Sequence, residues 1–248
     1  VALYRSHAFV LHTYKLGETD QIVVLFMRDF GKIRAVVRRS QSPRRPTAGY
    51  YQPLMLLDAI VYGRPSQTLY RMHSVDIVQA FRPLHEEFSL LRCGLYMTEL
   101  IDVATHEREP APELFTLFHA MLHALLETPC STLLLRHFEL RVLGALGYAP
   151  QLVACVQCAR DLHEHEGTFS ARLGGLLCAT CAPSVRQTFV VGHEALAYAR
   201  LVLAADETNV PLAPSPGATA MQDLDRLLHA HMTFCLGREL KSYAFLQL

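Results

Sequence analysis

The 248-residue sequence contains no tryptophan, carries no net charge, and draws only three of its 23 basic residues from lysine. None of its apolar stretches approaches the roughly 18 residues that a membrane span requires. Arg5, His7 and His12 interrupt the apolar residues at the N-terminus, which therefore do not read as a secretory signal. The sequence also lacks the G-x-x-x-x-G-K-[ST] loop that cradles nucleotide phosphates, the G-x-S-x-G hydrolase elbow and the H-E-x-x-H metalloprotease pair. These absences point to a soluble cytoplasmic protein that is not an enzyme. Glu86, Glu87, Glu107 and Glu109 fall among ordinary charged neighbours and read as solvated helix ends.

What is present suffices for one large or two modest domains, since 51% of the residues are hydrophobic and 19% charged. The zero net charge hides an asymmetry. Residues 1–82 hold 12 basic against five acidic side chains, and the remainder holds 11 against 18. Two oppositely charged halves imply two domains, 1–82 and 83–248, one of them with a polyanionic partner.

The first half reads as strands. Residues 7–14 and 20–27 are aromatic, β-branched or continuously apolar, and Asp29-Phe30-Gly31 punctuates them as a tight connection. Residues 32–39 alternate, with Ile33, Ala35 and Val37 on one face and Lys32, Arg34, Val36 and Arg38 on the other. Further strands are expected at 53–62 and 67–78. Five short strands in about 80 residues fit a small barrel, the OB-fold first among them. Beyond Pro83 the apolar spacing becomes helical, over 86–105, 114–125, 131–146, 192–205 and 219–236. The fold class is therefore α+β and multidomain: an N-terminal OB-fold barrel followed by an α-helical domain with an inserted four-cysteine zinc module at about 150–186.

Seven cysteines, an odd number, argue against a disulfide framework. Cys93, Cys130 and Cys235 read as small buried hydrophobes. The other four form Cys155-x-x-Cys158 and Cys178-x-x-Cys181, separated by 19 residues. Each short gap lets a turn aim two thiolates at one ion, and Gly174-Gly175 between the pairs can turn a hairpin. Four thiolates complete a tetrahedron and leave no position for water, so one structural Zn2+ is expected. His163 and His165 are weaker substitutes, and an iron–sulfur cluster fits the same spacing. A deaminase site needs a proline before its cysteine pair, and neither pair has one.

Residues 28–45 hold seven basic side chains against the single acid Asp29. Lys32, Arg34 and Arg38 on the strand, with Arg39, Arg44 and Arg45 in the following loop, form a surface that suits a phosphate backbone. Tyr50 and Tyr51, just after that loop, are candidate stacking platforms. The alternative is a zinc-containing protein–protein adaptor whose barrel is incidentally basic.

These residues together resemble the bacterial recombination mediator family RecO. The resemblance runs through Gly17-Glu18-x-Asp20, Phe30-Gly31-Lys32 and Gln52-Pro53. It is most specific at Leu146-Gly147-Tyr148-x-Pro150-x-Leu152-x-x-Cys155-x-x-Cys158, answered by Phe169-Ser170 and Gly174-Gly175-x-x-Cys178-x-x-Cys181. Where the family commonly has a Lys-Gly pair after the third strand, this chain has Val36-Val37-Arg38-Arg39. The resemblance implies binding of single- and double-stranded DNA, annealing of complementary strands, and help in loading recombinase onto strands coated by single-strand-binding protein. It also implies RecR and the acidic tail of single-strand-binding protein as partners, no bound nucleotide, and a nucleoid-associated location.

Overall fold

The computed structural model describes residues 2–18, 20–38, 49, 51–64, 66–128, 132–163, 166–205 and 216–246. The chain forms two compact units, residues 1–129 with 242–248, and residues 130–241. Among the described residues no helix is long and apolar enough to cross a membrane.

Five strands begin the first unit: β1 (Ala2–Leu16), β2 (Asp20–Met27), β3 (Gly31–Arg38), β4 (Leu56–Gly63) and β5 (Tyr70–Gln79). They pair in the order β1-β2-β3-β5-β4, and β4 returns to β1 to close the barrel. The first strand serves two neighbours. Its N-terminal half pairs β4, its C-terminal half pairs β2, and a register shift between Val10 and His12 bends it between the two. The strand expected from residue 53 starts instead at Leu56. Leu54 has a φ of 73°, and the Leu54 N–H donates to Val10 O while the Val10 N–H donates to Met55 O, so this stretch turns onto the β1 bend.

The alternation on β3 is borne out: Ile33, Ala35 and Val37 are buried, while Arg34 and Arg38 are exposed. Their inward neighbours include Val10, Leu25, Leu57, Val61 and Tyr70. Outside the barrel, Phe9 and Phe26 stand opposite each other on β1 and β2. They meet Phe115, with ring centroids 5.0 and 5.6 Å away, on α3 (Pro112–Glu127). Two helices precede α3, namely α1 (Arg82–Glu86) and α2 (Phe88–Ala104), so the switch from strand to helix falls close to residue 82.

The closure between β3 and β5 is short, because only Ala35↔Tyr70 and Val36↔Arg71 pair, in parallel. Beyond it, the segment after α2 takes up the free edge of β3. Lys32 bridges Glu107, and the Arg108 N–H donates to Lys32 O at 2.9 Å. Gly31 makes this approach possible. Its φ is +70°, and a Cβ there would run into the Glu109 backbone.

In the second unit, α4 (Thr132–Ala145), α5 (His193–Ala204) and α6 (Ala218–Leu236) pack on one another beside a small antiparallel sheet. The sheet has the order β7-β6-β8, from β6 (Gly167–Ser170), β7 (Gly175–Leu177) and β8 (Phe189–Val191). Arg136 on α4, 1% exposed, bridges Glu139 one turn on at 2.8 Å and Asp225 of α6 at 2.5 Å. A guanidinium so enclosed requires both carboxylates, because removing either leaves a buried charge uncompensated. Cys93 is buried on α2 but is disulfide-bonded, not the free thiol its apolar surroundings suggested.

His137 is 2% exposed beside these groups, and burial, assisted by the Arg141 charge, lowers its pKa to about 4. The unfolded chain binds this proton from about pH 6.5 downward, whereas the folded chain resists it. Stability is therefore unaffected by His137 above pH 6.5 and falls as the pH drops from there toward 4, by at most about 3 kcal/mol. Denaturant melts of wild type and H137L across that window check this, and the variant is expected to show the shallower acid loss.

Candidate metal centre and nucleic-acid interface

The four cysteines expected to share an ion do meet. The Sγ atoms of Cys155, Cys158, Cys178 and Cys181 all lie within 4.8 Å of one another. Cys158 and Cys178 are 3.7 Å apart at sulfur. A tetrahedron of thiolates about 2.3 Å from a central ion has sulfur–sulfur edges of about 3.8 Å, so the donor set fits a closed four-sulfur site.

Two local turns produce this convergence. In the first, the Ala159 N–H donates to Cys155 O at 2.9 Å, and Ala159 adopts a left-handed φ of 58°. That conformation costs alanine about 1–2 kcal/mol and turns the chain back, so that Arg160 O accepts from the Cys155 N–H at 2.8 Å and closes the knuckle. In the second, the Cys181 N–H donates to Cys178 O at 3.0 Å, and the chain passes into a 3-10 turn at Ala182–Ser184. The hairpin β6–β7 carries the second pair to the first. Gly174, at φ +71°, makes its turn, and Gly175 admits the backbone of Gln151, which a Cβ would strike at 2.6 Å. The Gln151 N–H donates to Gly174 O, the Leu176 N–H to Gln151 O, and the Val156 N–H to Leu176 O, all within 3.0 Å. The first cysteine turn is thereby stitched to the strand that leads into the second. Arg200 of α5 holds the insert from outside, donating to the carbonyls of Leu152, Leu162 and His163 at 2.5–3.0 Å.

The thiols do not titrate alike. Burial opposes ionisation of Cys155, but the backbone N–H groups of Cys178, Cys158 and Gln157 outweigh it and bring the thiol down to about 6. Cys178 is lowered chiefly by the Cys181 backbone, whereas Cys181 is pushed up to about 12 by its hydrogen bond to Cys178 and by burial. Backbone donors thus favour the thiolate form at Cys155 and Cys178, and a divalent ion would draw protons off the set. His163 is not in the cluster, and His165 lies outside the described residues.

The barrel shows a second site. A groove of about 1070 Å³ opens where β3 meets β5, lined by Val36, Arg38, Tyr62, Arg64, Arg71 and His73 among others, with Asp20 and Asp76 as its acids. Arg38 was expected here. Arg64, Arg71 and the Tyr62 ring, edge-on to His73 with centroids 6.1 Å apart, were not singled out in the sequence. Their signal was the outward phase of β5 and the Gly63-Arg64 turn before it, too ordinary to notice without the neighbouring strand.

Three of the expected contacts are placed differently. Tyr51 is 4% exposed and belongs to the barrel core, so it is not an open stacking platform, although it is part of the groove lining. Lys32 donates to Asp102 O at 2.5 Å and lies 3.0 Å from Asp102 Oδ1. Arg34 pairs Glu107 at 2.8 Å, so Glu107 is not the free helix-end carboxylate it resembled. Arg39, Arg44, Arg45 and Tyr50 lie outside the described residues.

A barrel with an arginine-lined groove, in one chain with a helical unit that carries a four-cysteine cluster able to hold a metal ion, defines a two-module protein. Two family models cover it, Recombination protein O N terminal at residues 1–81 and Recombination protein O C terminal at residues 85–244. The chain belongs to the recombination protein O family. Among its relatives is the DNA repair protein RecO of Anaeromyxobacter sp. (strain K), 36% identical over 243 residues, which are 96% of this chain and 93% of that protein. The protein of the same name from Symbiobacterium thermophilum is 32% identical over 250 residues, 99% of this chain and 97% of its own. That of Myxococcus xanthus is 31% identical over 243 residues, 98% and 96% of the two chains.

Replacing Cys155 or Cys178 by Ser is expected to lower bound metal and thermal stability together. Thiolate–metal binding in such modules contributes on the order of 10 kcal/mol to local folding. Elemental analysis alongside protease resistance checks this; full stability of metal-free protein would contradict it.

Proposed function

We propose that the chain is a recombination mediator in DNA repair, without catalytic activity of its own, that holds DNA in the barrel groove. In this reading the barrel is an OB-fold and binds single- and double-stranded DNA through phosphate contacts from Arg38, Arg64 and Arg71, with Tyr62 beside them for stacking. Arg39, Arg44 and Arg45 extend the contact. The observation that carries the reading is the groove itself, whose arginines come from three separate strands and turns in a chain of this family. The four-cysteine cluster holds one structural Zn2+, which keeps the hairpin and the 151–156 segment together. With RecR, the protein helps load recombinase onto strands coated by single-strand-binding protein, whose acidic tail it meets, in the cytoplasm at the nucleoid.

Annealing follows from the same chemistry. Two complementary strands repel through their phosphates, and a basic surface that screens them speeds their encounter. The sequence has no phosphate-cradling loop, so binding energy alone drives the step.

The second reading, a protein–protein adaptor, draws support from the internal pairing of Lys32 and Arg34, which removes two charges from the barrel face. Salt dependence separates the two. Affinity for oligonucleotides is expected to fall with a slope near −0.7 per phosphate contact on single strands and −0.9 on duplex. Substituting Ala for Arg38, Arg64 or Arg71 should flatten that slope by about one contact each, with no base preference. Wild-type affinity that ignores salt would favour the adaptor.

Pairing of two labelled complementary oligonucleotides without ATP gives the second test. The protein is expected to accelerate it at low salt, with the effect shrinking as salt rises and largely lost in R38E/R64E/R71E. Acceleration that requires ATP would contradict the proposal.

A further inference from the structure

The outward face of β3 has two ends with different surroundings. Val36 and Arg38 line the groove. Lys32 and Arg34, on the same face, meet the last turn of α2 and the chain that follows it. Lys32 is closed in, 12% exposed at its side chain, with Asp102 accepting its ammonium and His12 lying 3.3 Å from the other Asp102 oxygen. Arg34 and Glu107 are different, being 53% and 36% exposed at their side chains and paired at 2.8 Å. Arg34 is two residues from Val36, about 7 Å along the strand, and so stands next in line beyond the groove. Backbone contacts fix the position of Glu107 independently of its carboxylate, through the bridge to Lys32 and the Arg108 N–H bond to Lys32 O.

We infer that Glu107 is a built-in phosphate mimic: its carboxylate occupies Arg34 in place of a nucleic-acid phosphate and ends the backbone track at that point. The inference rests on the reading of the groove as the nucleic-acid surface. Lys32 is the permanent part of the stop, locked by Asp102, and Arg34 is the exchangeable part. A phosphate reaching Arg34 must displace a carboxylate and overcome its repulsion, so the barrel alone engages a shorter stretch of strand than its basic face would allow.

The test uses the full chain and a fluorescent oligothymidylate, comparing wild type, E107Q, R34A and E107Q/R34A. Glutamine keeps the shape and the backbone contacts while removing the charge, and thermal melts verify that each variant folds. E107Q is expected to bind about fivefold tighter at low salt, the upper end for an exposed pair. Its salt slope should steepen by about 0.7, one phosphate on a single strand. R34A should bind no tighter than wild type, and somewhat more weakly because it leaves the Glu107 charge uncompensated beside the track, while the double variant should return to about the wild-type affinity and slope. If wild type binds and E107Q is no tighter, or the gain survives in the R34A background, the inference is overturned while the groove reading stands. If wild type fails to bind but E107Q binds through Arg34, the mimic stands and the groove reading falls for the native chain. If neither binds, both are overturned.

Discussion

The short closure between β3 and β5 is the constraint on which the barrel unit depends. Backbone N–H and C=O groups buried without partners cost more than most contacts return. With β5 pairing only at Ala35 and Val36, the remainder of the β3 edge needs another partner. The segment after α2 supplies it at Lys32, and Gly31 gives the clearance. Where β5 does pair, it brings Arg71 beside Val36 and the Arg64 turn close to Arg38, and the groove is the result. One feature of strand pairing thus divides the basic face of β3 into an open end and a neutralised end.

The four-cysteine module solves a similar problem on a smaller scale. A three-residue strand such as β7 cannot stand alone, so it is paired on one side by β6 and contacted on the other by Gln151. Gly175 lets the two backbones meet, and the meeting aligns both cysteine turns on one point. A bound ion would lock an arrangement that hydrogen bonds and the Arg200 clamp already favour.

The four-cysteine cluster was legible in the sequence because both turns are local: two residues between cysteines and a Gly-Gly between the pairs carry the geometry. The faces of β3 were legible for the same reason, since alternation is a property of adjacent residues. Groove and stop were not. Arg38, Arg64 and Arg71 are brought together by a parallel pairing that no short-range pattern announces, and Glu107 reaches Arg34 across more than 70 residues. Tyr51 misled because it follows a polar, arginine-bearing loop, yet the barrel interior takes its ring. The strand β8 went unread because three residues carry too little periodicity to mark one.

Amide hydrogen exchange on the full chain, with and without a saturating oligothymidylate, tests the central claim most directly. The account predicts added protection at residues 36–38, 62–64 and 70–74, around the groove, with residues 31–34 and 106–109 unchanged because they already protect one another. Protection confined to the helical unit, or spread evenly along β3 through Lys32, would contradict it.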